Sequence, residues 1–265
     1  MPLPRASLLA CCLASGGLLQ AQSSDYPLAI NLPTSDQMQY WDISLGFTHR
    51  FVTPVKDHGK DVYGLDGYAY PGLGVDFGIK PIKGLNVLLY RTADNKTFTF
   101  ALQYQAIDHE WIRLSVRAER FDEVIPAAHT AFGDVGITGG AIQVPTEFFL
   151  GDWVIVSVVP TYLSRTTTQT SGVFNVGAGL RVSFTDKFGF LAEFYPTPSK
   201  VKTAGTDFKS GFAAGFTYKT FKHRFSLFST NSPGTTANQV LCGDYGGGPR
   251  SSDQWSIGFN IIRVF

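Results

Sequence analysis

From Tyr40 to the end of the chain, apolar residues alternate with small or polar ones in segments of about ten residues, the period of strands with two unlike faces and not of helices. In 173–184, Phe174, Val176, Ala178, Leu180, Val182 and Phe184 share one face, and Asn175, Gly177, Gly179, Arg181 and Ser183 the other. In 208–219, Phe208, Phe212, Ala214, Phe216 and Tyr218 oppose Lys209, Gly211, Ala213, Gly215, Thr217 and Lys219. Likewise Phe98, Phe100, Leu102 and Tyr104 oppose Thr97, Thr99, Gln103 and Gln105, and Ile112, Leu114 and Val116 oppose Arg113, Ser115, Arg117 and Glu119. Twelve such segments can be placed, at about 41–52, 67–79, 84–92, 96–106, 112–121, 136–148, 153–165, 172–184, 188–196, 207–219, 222–231 and 254–265. The sixth and seventh alternate poorly, so ten or fourteen strands stay open; single-chain bacterial barrels favour an even count.

The connections carry a second pattern. Those at 80–83, 108–110, 150–152, 185–187 and 220–221 are tight, while those between them include 53–66, 122–135, 197–206 and the glycine-rich 231–253. A transmembrane barrel with both termini in the periplasm has short inner turns and longer outer loops, whereas a soluble sandwich has no reason to keep that parity. The prediction is an all-β fold: a single antiparallel up-and-down transmembrane barrel over 40–265.

Two features favour an apolar outside and a polar inside. The polar faces are rich in glycine as well as charge, and aromatics gather near strand ends (Tyr40, Trp41, Trp111, Trp153, Tyr195, Tyr218 and Trp255), where amphipathic rings favour the membrane interface. Composition agrees. Only 16% of the residues are charged, 14% are aromatic, and the formal net charge of +1 gives no basic field for nucleic acid. No stretch beyond residue 25 reaches the ~18 apolar residues of a membrane helix, so a membrane protein of this sequence must close its hydrogen bonds between strands.

Residues 1–21 have the form of a cleaved signal peptide: Arg5, an apolar run from Ala6 to Leu19, and a small-residue site at Ala21. The Leu8 to Cys11 stretch resembles a lipoprotein box, but only five residues separate Arg5 from Cys11, too few for the usual apolar region. Export would leave Cys242 alone in the mature chain, so an intrachain disulfide is excluded. Residues 22–39 then form an extended segment that lies in the periplasm or enters the bore as a plug. At the other end, Ile257, Phe259, Ile261 and the terminal Phe265 share a face with Trp255, in the form of the C-terminal signal read by the outer-membrane assembly machinery. Arg263 interrupts that pattern.

Short anchors in order along the chain carry a family resemblance: INLPT (31–35), GFTHRF (46–51), GLDGYAYPGLGVDFGI (64–79), TNSPG (230–234) and GFNIIRVF (258–265). In these the chain resembles the outer-membrane β-barrel family designated domain of unknown function 5777. The resemblance implies a barrel in the outer membrane of a Gram-negative bacterium, and it brings no catalytic residue.

No constellation for chemistry stands out. His49, His58, His109, His129 and His223 are scattered over different segments, no cysteine pair or metal-ligand spacing appears, and Gly243 to Gly248 lack the strand-to-helix setting of a phosphate cradle. No cofactor is expected. The polar faces are the candidate site: as lumen they place Asp42, Arg50, Asp76, Arg113, Arg117, Glu119, Arg181, Glu193, Lys209 and Lys219 inside, six positive against four negative. Such charges either pair to fill the bore or line a pore for small polar solutes. Twelve strands fall between the filled eight-stranded barrel and the open sixteen-stranded one. The functions in play are a passive channel or transport-associated barrel, a structural or ligand-binding barrel with an ion-pair-filled lumen, and a membrane hydrolase. The partners expected are membrane lipid, the assembly machinery and a small solute.

Overall fold

The structure is a computed structural model; it describes residues 28–38, 41–57, 62–79, 82–127, 133–167, 170–198, 209–242, 250–251 and 254–265. The signal-peptide reading, Tyr40, His58, His129 and the glycines of 243–248 lie outside these residues.

Thirteen strand pieces form one antiparallel sheet: β1 (Ile43–Phe51), β2 (Ala69–Gly78), β3 (Leu85–Thr92), β4 (Phe98–His109), β5 (Ile112–Ile125), β6 (Val135–Gln143), β7 (Thr146–Leu150), β8 (Val154–Arg165), β9 (Ser171–Ser183), β10 (Phe188–Tyr195), β11 (Gly211–Lys219), β12 (His223–Thr230) and β13 (Ser256–Val264). Successive pieces pair with one another except β6 and β7, and β13 pairs with β1 from Ser44 opposite Val264 to Arg50 opposite Gly258, which closes the ring. β6 and β7 are two halves of one stave, since both pair with β5 on one side and β8 on the other. Pro145, which has no N–H to give the ladder, marks the break. Its carbonyl still accepts from Ser115 N at 2.9 Å, and Val144 N donates to Pro160 O at 2.9 Å. The barrel therefore has twelve staves.

Every predicted segment is a stave. The bounds differ most at β11, which begins at Gly211 against the expected 207, and at β5, which runs to Ile125 against an outer connection expected from residue 122. Asp122 and Glu123 read as loop residues, yet the alternation continues through them, with Phe121, Glu123 and Ile125 buried on the inner face. At the lower end of β4 the register with β5 shifts between Gln105 and Ile107, a bulge that carries the strand on to His109.

Burial alternates as an inverted barrel requires. Outward residues such as Leu73, Phe100, Phe174, Phe216 and Leu227 are exposed, and inward ones such as Ser44, Thr48, Gln103, Ser115 and Asn260 are buried. Exposed aromatics form two belts. Trp41, Trp111, Trp153, Phe184, Phe188, Tyr218 and Phe221 stand at the end with the tight turns; Tyr68, Phe98, Tyr162, Phe174 and Phe212 stand towards the other. Tyr195 is the exception among the expected interface residues: it is buried inside the bore, where its hydroxyl bonds Glu193.

Lipid in place of water explains the outer face, and this can be tested at Leu227, exposed midway along β12. Leu227→Arg should lower the unfolding free energy of the lipid-inserted protein by about 2–4 kcal/mol, far more than Leu227→Ala. Equal effects in a denaturant titration would contradict a lipid-facing position.

Candidate functional site

The inner wall is polar, and polar groups removed from water need partners. Two inserts supply them. The first is the segment 28–38, which stands inside the ring. It turns back on itself, Ala29 N donating to Leu32 O at 2.9 Å and Leu28 bridging Pro33. At this turn, three consecutive backbone amides converge on one carboxylate of β10: Ile30 N and Leu32 N donate to Glu193 Oε1 at 2.7 and 3.1 Å, and Asn31 N donates to Oε2 at 3.0 Å. Such a nest of N–H groups is a general anion cradle. Asn260 Nδ2 donates to Ile30 O at 2.9 Å, and Arg50 Nη2 to Asn31 Oδ1 at 2.9 Å. Arg50 is wholly buried; its other arm reaches Asn260 Oδ1 at 2.8 Å, and the guanidinium lies 4.5 Å from the Phe228 ring centre.

The lower half of the segment is held as closely. Gln103 Nε2 donates to Thr34 O and Asp36 O at 2.9 and 3.0 Å, Ser115 Oγ to Ser35 O at 2.9 Å, and Met38 N to Asn86 Oδ1 at 3.2 Å. Ser35 N donates to Glu147 Oε2 at 3.0 Å, and the Glu147 carboxylate also pairs with Arg181. Asp36 completes the group, 3.1 Å from Arg113 and 3.8 Å from Arg181.

The second insert comes from the connection between β12 and β13, which carries the short helix α1 (Ala237–Cys242) into the opposite end of the bore. Glu123, buried on β5, anchors it: Asn238 Nδ2 donates at 2.9 Å, with Asn95 Nδ2 at 2.8 Å and Thr167 Oγ1 at 3.1 Å completing the ring of donors. Gln239 Nε2 reaches Thr97 Oγ1 at 3.0 Å and Asp94 O at 3.3 Å. The Asp94 carboxylate beside it is buried with neither oxygen bonded. Burial first, and the neighbouring Glu123 charge second, push its pKa up to about 8, so it is held neutral at ordinary pH.

The two inserts meet. Leu32 from the first and Val240 and Leu241 from the second form one apolar cluster with Phe121, Ala141, Val159, Leu163, Val173 and Tyr195 of the wall. This septum explains why the sixth and seventh segments alternate poorly in sequence: their inner positions face an apolar insert. Gly177 and Gly179 give Leu32 its room, since a Cβ on Gly177 would lie 2.6 Å from Leu32 Cδ2. Cavities of about 30 Å3, the scale of a few water molecules, remain beside the inserts, one against β13 and β1 to β3 and one against β3 to β6.

Of the residues read from sequence as lumen, Arg50, Asp76, Arg117, Arg181 and Glu193 are buried on the inner face. Arg117 and Glu119 pair with each other at 3.2 Å, and Arg113 pairs with Asp108 at 2.9 Å as well as with Asp36. Lys219 is half-buried at the mouth with the tight turns, Asp42 precedes β1, and Lys209 is exposed ahead of β11. Among the described residues, the buried charges outside the positions read as lumen are Asp36 of the first insert and Asp94 beyond β3, and on the wall itself Arg224 of β12 and two acids, Glu123 at the end of β5 and Glu147 in the segment that alternates poorly. The two acids bring the wall nearer to charge balance than the six-to-four reading. His49 stacks on Phe259 with ring centres 5.0 Å apart, and His223 on Phe225 at 5.9 Å, so neither presents a base to the bore.

The fold defines a membrane-spanning β-barrel. Residues 150–265 match the family described as a membrane bound beta barrel domain, domain of unknown function 5777, which is the family that the sequence motifs resemble. No curated protein matches the chain. Among solved structures the chain is similar to the KdgM porin (TM-score 0.53, 8% identity, 84% of this chain and 99% of that one) and to the KdgM porin in complex with disordered oligogalacturonate (0.52, 8%, 84% and 99%). The outer membrane protein Omp33 of Acinetobacter baumannii aligns at a TM-score of 0.46 with 10% identity over 85% of this chain and 98% of that one. At these identities the likeness is one of fold.

Two outcomes follow from the inserts. Gly177→Val should push Leu32 off the wall and expose 28–38 to protease while the barrel stays folded; adding Leu32→Ala should restore protection. The second concerns pH. Because Asp94 binds its proton more tightly in the folded protein, its arrangement loses stability as pH rises from about 4 towards about 8. Asp94→Asn should flatten that part of the curve of unfolding midpoint against pH.

Proposed function

We propose that this protein is an outer-membrane channel for small polar solutes, shut by its own N-terminal segment and by α1. The observation that carries the reading is that the bore is filled by pieces outside the ring of staves, and that most of what fastens 28–38 there is hydrogen bonding. Bonds of that kind are exchanged for bonds to water at a net cost of about 0.5–1.5 kcal/mol each between neutral groups and about 1.5–3 kcal/mol to a charged one, so such a segment can leave a wall that stays intact. The likeness in fold to a porin supports the same reading, and oligogalacturonate, bound by that porin, is a polar solute. Ile257, Phe259 and Ile261 point outward from the last stave, as an assembly signal ending at Phe265 requires, and we read them in that role.

One observation favours a second reading, a structural barrel with a permanently filled lumen: the burial of charged groups such as Arg50 and Glu147 against the segment. Removing the partners of buried charges destabilises strongly. Planar-bilayer recording separates the two. Glu193→Ala with Glu147→Ala, which takes away both carboxylate anchors of 28–38, should turn rare, small conductance steps into frequent, larger ones. A folded double variant that stays silent would defeat the channel and leave the filled barrel.

A further inference from the structure

The mouth of the bore at the tight-turn end is unevenly charged. Between β8 and β12 it opens into a cavity of about 50 Å3. Arg181, Lys187, Lys219 and Arg224 line it, with the hydroxyls of Ser183 and Thr217 among them, and among the described residues no carboxylate belongs to the lining. Arg181 has its counter-charges deeper in the bore, Glu147 and Asp36. The other three basic residues form a row across adjacent staves. Lys219 N donates to Lys187 O at 2.7 Å, and Lys219 stands directly opposite Arg224 in the pairing of β11 with β12.

Like charges directly opposite one another on a sheet repel, and here both lie on the inner face. Arg224 is only 4% exposed, with its Nε donating to Thr217 Oγ1 at 3.2 Å, so it cannot swing into solvent as a surface arginine would. A negatively charged group between the side chains turns that repulsion into attraction. A guanidinium offers a planar fork of donors that matches a carboxylate or phosphate, while lysines add compact charge and hydroxyls add donors.

We propose that this mouth is a binding site for small oxyanions, carrying carboxylate or phosphate groups. It names the solute class for the proposed channel and rests on that reading only for the onward route; binding itself needs no conductance. Such a site raises the local concentration of anionic solute at one end of the bore, next to the arginine that holds Asp36 of the plug.

The test is isothermal titration of the full-length, detergent-folded protein with sodium phosphate and, separately, with sodium citrate, both in a chloride background. Saturable binding of either anion is expected, weakening as salt rises. Lys219→Gln combined with Arg224→Gln should weaken it by about tenfold or more. Arg224→Lys should retain part of it, and Lys222→Gln, on the exposed turn nearby, should leave it unchanged. Folding of each variant is checked by its faster migration unheated than boiled. Binding of phosphate alone or citrate alone supports the site and fixes the group it takes. Absence of binding to the unaltered protein, or equal binding by the folded double variant, overturns the proposal. Binding without conductance would sink the channel and leave the site standing.

Discussion

Everything in this molecule follows from the rule that a strand in hydrocarbon leaves no backbone group unbonded. A sheet has two edges, and twelve staves become one closed wall only because β13 finds β1, from Ser44 opposite Val264 to Arg50 opposite Gly258. Closure sorts the side chains. Those facing out meet lipid and are apolar; those facing in are cut off from lipid and, in a bore this narrow, largely from water. The polar inner face is then a liability unless something fills it.

What fills it is peptide. The segment 28–38 supplies amides to Glu193 and carbonyls to Gln103, Ser115 and Asn260, so that wall and insert satisfy one another. Neither is complete alone. The apolar cluster that Leu32 shares with Val240 and Leu241 ties the lower insert to the upper one.

The staves were legible because each obeys a period of two over many residues, and their parity of connection lengths needs only counting. The polar inner face was legible for the same reason in β4, β9 and β11. Reasoning failed where the inner face stopped being polar. Val159 and Leu163 of β8 are apolar and inward because they meet the septum, and nothing local announces a partner more than a hundred residues away in the chain, as Leu32 is. Glu147 was lost with its segment for that reason. Glu123 was lost because two adjacent acids resemble a loop, although one faces out and the other anchors α1. Tyr195 shows the converse: an aromatic at a strand end suggests the membrane interface, and only the buried Glu193 beside it marks it as interior.

The septum is also lopsided. Its apolar contacts run from Phe121 and Ala141 round to β8, β9 and β10, while the small cavities lie from β13 through β1 to β6, one among Ser44, Thr48, Asp76 and Tyr90, the other beside Thr99, Arg117 and Gln143. One flank of the insert is therefore dry and the other already borders on space for water. A partial withdrawal would wet the flank along β1 to β6 first, with Leu32 still seated against Gly177 on β9. The segment would then move less like a cork drawn along the axis than like a door hung on its greasy side, and the first path to open would be a crescent along one wall.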